Sequence, residues 1–140
     1  MDFKKIISAA MIPTIVLVVL GIVNAVISVV ITKYLPLLCF IPMLLSLPIY
    51  VINLIILGWA GYSAAKKYQL DLVCAALTGV LAAFVSSIIS QIVLLVLQLA
   101  TGLFDLVGWV LISVLIIIAA VVLGAVLGAI GGFLGQGKKK

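Results

Sequence analysis

The chain alternates between long apolar stretches and short polar interruptions. A charged lead, Lys4-Lys5, precedes an apolar run from Ile6 to Ile31. Lys33-Tyr34-Leu35-Pro36 ends it, because Pro36 continues a helix poorly but can open the next one. A second run reaches Ala65 and carries Pro42 and Pro48, which predict a kinked first half. Lys66 to Asp71 form the second turn, Leu72 to Ala100 a third run, and Thr101-Gly102 begins a third turn that also holds Asp105. A fourth run extends from Leu106 to Leu134, before Gly135-Gln136-Gly137 and the Lys138-Lys139-Lys140 tail.

Each run exceeds the roughly 20 apolar residues that cross a bilayer. Apolar runs of this length without turn signals read as helices, because unpaired strand edges are not tolerated in lipid. The pattern predicts a single all-α domain over residues 1–140, with helices at about 6–32, 37–65, 72–100 and 106–134 and a basic tail at 135–140. Two helical hairpins, up-down-up-down, make a membrane-type bundle. The first run is too long for a secretory signal and is expected to be a retained helix.

The lysines orient that bundle. Up-down-up-down order puts Lys4, Lys5, Lys66, Lys67, Lys138, Lys139 and Lys140 on one side, with both termini, and leaves Lys33 on the other with Asp105. Under the positive-inside rule this side is cytoplasmic, or interior-facing if the chain belongs to a shell. Trp59, Tyr62 and Tyr68 fall near the lysine-rich boundary, and Tyr34 and Trp109 near the other, where interfacial aromatics belong.

Small and polar residues fall in stripes at helical spacing. Gly21, Asn24 and Ser28 share a face of the first helix; Pro42, Ser46, Asn53, Ala60 and Ala64 one of the second. Ala76, Ala83, Ser87, Gln91 and Gln98 share one of the third, and Ser113, Ala120, Gly124 and Gly131 one of the fourth. Such stripes are packing seams, since small residues and amides join helices in lipid. The functional alternative is a polar pore lined by Asn24, Asn53, Gln91 and Gln98. Against it, the apolar runs contain no ionisable residue of the kind that marks ion paths. The densest motif is a glycine zipper, Gly124-x-x-x-Gly128-x-x-x-Gly132, flanked by Gly131 and Gly135. It offers a flat ridge to a helix of this chain or of a second copy. Gly58-Trp59-Ala60-Gly61 echoes it about half a chain earlier, as a duplicated hairpin would. Other positions align poorly, so convergence of two similar helix ends is the favoured reading.

Composition excludes more than it proposes. Apolar residues make up 68% of the 140, too many for a soluble domain of this size to hide. The absence of His and the three scattered aspartates remove the usual acid–base pairs and metal ligands. No catalytic residue, cofactor site or metal site is predicted, and an enzyme is not expected. Cys39 and Cys74 should sit near opposite ends of the bundle, beyond the about 7 Å of Cα separation that a disulfide allows.

Short, extremely apolar, Lys-tipped and glycine-rich, the chain resembles in style the coat proteins of archaeal spindle-shaped viruses. The likeness rests on the four runs, the Gly124–Gly135 ridge and the Lys138–Lys140 tail. It implies a shell of repeated subunits with lysines facing packaged DNA. The expected function is therefore non-enzymatic and structural. Copies would self-associate through apolar and glycine faces in a membrane or virion shell, with lipid around them and lysines meeting head groups or nucleic acid without reading sequence. A small channel or carrier, or an accessory subunit of a membrane complex, is the alternative.

Overall fold

The computed structural model describes residues 3–34, 40–102 and 105–137, with side chains from 44 onward in the second stretch. They form four α-helices: α1 (Phe3–Tyr34), α2 (Phe40–Lys67), α3 (Leu72–Thr101) and α4 (Leu106–Gln136). Pro36, Cys39 and Lys138 to Lys140 lie outside the described residues, as do the expected first residues of α2.

Helix ends run past the apolar limits. Lys4, Lys5 and Lys33 are helical, so α1 is longer than its apolar core. Their long stems can follow the helix while the ammonium stays in water, so charge need not end a helix here. Gly135 and Gln136 belong to α4 rather than to a tail, which corrects the expected boundary at 134. Gly102 ends α3 in the left-handed region at φ 73°, and its N–H reaches the Gln98 and Leu99 carbonyls. Asp105 opens α4, its carboxylate accepting from the Gly108 N–H at 3.2 Å.

The helices do not sit around the bundle in chain order. α1 packs on α2 and α3, and α4 packs on α3 and α2, while α1 and α4 occupy a diagonal and barely touch. Hairpin α1–α2 thus lies beside hairpin α3–α4, with α1 alongside α3 and α2 alongside α4. A Cβ on Gly131 would meet Gly58 and one on Gly135 would meet Ala65, so residue number rises in the same direction along α2 and α4; within that seam Gly58 meets Gly131 and Gly61 meets Gly128. These two contacts exchange under an offset of half the chain, as in two hairpins related by a twofold axis. The echo seen in the sequence therefore has a spatial counterpart.

Two small clusters make the core. Ile6, Ala9, Ala64, Leu70, Cys74 and Ala75 gather at the end where α1 and α3 begin and α2 ends. Leu17, Leu57, Ala82 and Ala83 follow further along. Alanine makes up half of each, so the helix backbones are close. The large apolar side chains point outward instead: Val107, Leu115 and Phe133 are 67–69% exposed. All four helices are long and apolar enough to cross a membrane. Small inside and large outside is the arrangement expected where lipid, not water, surrounds the helices.

Candidate functional sites: a glycine seam, an amide seam and a basic rim

The glycine seam fills the half of the bundle nearest the lysines. Gly124, Gly128, Gly131, Gly132 and Gly135 are all buried on α4. A Cβ on Gly131 would meet the Gly58 carbonyl, and one on Gly61 the Gly128 carbonyl. On the other flank, a Cβ on Gly124 would come within 2.8 Å of the Ala83 Cβ, and one on Gly132 within 2.6 Å of the Ala75 Cβ. The ridge is thus occupied on both sides by α2 and α3 of the same chain. This corrects the expectation that its glycines join separate copies, since a face already buried has no room for a second helix. Gly58 also differs from its neighbours. It lends its carbonyl to the seam, but a Cβ there would meet nothing within 4 Å.

Sequence reasoning missed Gly79, whose added Cβ would strike the Gly124 carbonyl. The Ala75-x-x-x-Gly79-x-x-x-Ala83 spacing carried that signal. Buried Thr78 beside it bonds its own helix, Oγ1 to the Cys74 carbonyl at 2.8 Å. Thr14, Thr32 and Ser8 bond carbonyls four residues earlier in the same way, as expected for hydroxyls in apolar helices. Cys74 is a buried free thiol.

The amide seam occupies the half remote from the lysines. The Ser113 hydroxyl donates to the Gln91 side-chain oxygen at 2.9 Å, a buried bond that joins α4 to α3. Gly21 on α1 leaves space into which Ser90 of α3 projects. Asn24, Ser28, Asn53, Ser87 and Gln98 are half-buried, as is Ser46 nearer the start of α2. The Asn24, Asn53 and Gln98 side-chain oxygens, and the Trp109 Nε1, are buried without a hydrogen-bond partner among the described residues. Gln91, Gln98, Asp105, Trp109 and Ser113 border a cavity of about 170 Å³ at that end. A cavity of that size with several polar walls suits ordered water.

The basic rim lies at the opposite end. Lys4, Lys5, Lys66 and Lys67 are exposed there. The Lys66 Nζ donates to the Tyr62 hydroxyl at 2.9 Å and stands 5.2 Å from that ring's centre. Lys67 stands 5.7 Å from the Tyr68 ring. Two bonds tie the rim together: Tyr68 Oη donates to the Ser8 carbonyl at 3.4 Å, and Gln136 Nε2 to the Leu70 carbonyl at 3.3 Å. The start of α1 and the end of α4 therefore share an end with the α2–α3 turn. Neither Tyr68 nor Gln136 stood out as a fastening point in the sequence, because each bonds a backbone carbonyl that no pattern of side chains reveals.

Among the described residues no three potential His, Cys, Asp or Glu ligands come together as a metal site. No protein-family model matches the chain, and no curated protein or solved structure matches it. The fold by itself defines the class: a four-helix bundle of membrane type.

Proposed function

We propose that the chain is a non-enzymatic structural subunit that packs beside copies of itself in a membrane-like layer. The observation that carries this is the length of its apolar surface. On α4, exposed apolar side chains extend from Leu106 to Leu134 without a charge between them. At a rise of about 1.5 Å per residue that band is about 42 Å long, against a hydrocarbon core of about 30 Å. Matching the two by tilt alone would need roughly 45°, beyond the usual range of 0–40°. Association of copies covers surface that an ordinary bilayer leaves mismatched. Since the glycine ridge is spent inside the chain, the contacts between copies fall to the outward Leu, Ile and Val residues.

The basic end then faces phosphate, either of lipid head groups or, in a virus-like coat, of packaged DNA. The likeness in style to spindle-shaped virus coat proteins supports the second. Electron microscopy of purified native material, before and after nuclease, tests the proposal. Shells or a repeating lattice are expected, and a nuclease-sensitive interior would mark DNA as the partner. A strictly monodisperse monomer in mild detergent contradicts self-association.

The unpartnered amide oxygens favour a second reading, a small channel or carrier that uses the polar seam. Liposome flux abolished by Asn53→Leu or Gln91→Leu would favour it over the structural one.

A further inference from the structure

Between α1 and α2, at the basic end, lies a partly open cavity of about 430 Å³. Its rim carries Lys66, Lys67, Tyr62 and Tyr68, and its apolar wall buried Pro13 and exposed Trp59. From Lys66 to Trp59 is two turns of α2, about 10 Å. The cleft is therefore cationic at the mouth and apolar along its wall. Pro13 has no N–H to offer the Ala9 carbonyl one turn earlier, and both residues line the cleft.

We infer that this cleft binds an anionic phospholipid. The phosphate sits at Lys66 and Lys67, and the first part of an acyl chain lies against Pro13 and Trp59. Three features select that ligand. Among the described residues the lining holds two ammonium groups and no carboxylate, so the ligand is anionic. Each ammonium stands over a tyrosine ring, Lys66 at 5.2 Å and Lys67 at 5.7 Å from the ring centre, which gathers the pair at the mouth. The apolar wall would be left bare by inorganic phosphate, and a nucleic-acid duplex, roughly 20 Å across, reaches only the rim. Asp71 lies at the same end but does not line the cleft. The inference stands whether or not copies associate, so the two proposals fail separately.

The test uses the full chain in neutral detergent, with Trp109→Phe so that Trp59 is the one remaining indole of two. Phosphatidylglycerol should change Trp59 fluorescence saturably, and phosphatidylcholine with the same chains should do so far less. Lys66→Gln and Lys67→Gln should each weaken the phosphatidylglycerol response about fivefold. Lys33→Gln, at the far end, should leave it unchanged. Equal responses to the two lipids, or insensitivity to both lysine substitutions, would overturn the inference. An equal response to inorganic phosphate alone, or to a short DNA duplex with the same lysine dependence, would overturn it in favour of those ligands.

Discussion

Glycines that look alike in the sequence do different work. A Cβ on Gly131 would strike the Gly58 carbonyl, whereas one on Gly58 would enter open space. Gly131→Ala should therefore destabilise the bundle by about 1–3 kcal/mol, the usual range for overpacking. Gly58→Ala should be neutral or stabilising by up to about 1 kcal/mol, since alanine favours a helix more than glycine does. Unfolding in mixed micelles would check both, and equal losses would contradict the contact geometry. The Ser113–Gln91 bond sets a second contrast. Ser113→Ala leaves the buried Gln91 oxygen alone and should cost about 1 kcal/mol, because bonds between membrane helices average only about 0.6 kcal/mol. Adding Gln91→Leu should recover much of that loss, by removing the stranded acceptor.

At the scale of the helices, the sequence disclosed much and hid a specific part. Run lengths and the Lys66–Asp71 and Thr101–Asp105 breaks placed four helices within a few residues of where they stand. The ends moved because lysines and glycines can extend a helix whose apolar core has stopped. Which seams met was less legible. Small stripes occur on all four helices, and periodicity says that a face is buried without saying against what. The pairing of α2 with α4 decides that the zipper is internal, and it depends on three-dimensional packing of residues about 70 apart. Gly61 matters through that pairing, and Gly79 through the pairing of α3 with α4. The amide seam was legible as a stripe, but its Ser113–Gln91 bond was not. The start of α4 gives a direct check on its cap. Asp105→Ala should lower stability by about 1 kcal/mol, by leaving the Gly108 N–H without its acceptor. Asp71 makes no side-chain cap bond at the start of α3, so Asp71→Ala should cost less.

The whole molecule separates its two kinds of residue by position. Glycine and alanine bring the backbones together inside, and an apolar coat of Leu, Ile and Val faces outward over a length that an ordinary bilayer does not match. The charged groups are confined to the ends, with the lysine pairs Lys4–Lys5 and Lys66–Lys67 at one of them. The glycine ridge of such a molecule is filled from within the chain, and under the proposed structural role its tendency to associate would depend on the thickness of the layer around it. That dependence is the direct test of the structural role. Donor- and acceptor-labelled copies would be reconstituted at low density in phosphatidylcholine bilayers of increasing acyl-chain length, and energy transfer between copies measured. Transfer should be high in thin bilayers and fall as the hydrocarbon layer approaches the length of the α4 apolar band. Transfer at the level of random mixing at every thickness would contradict the account.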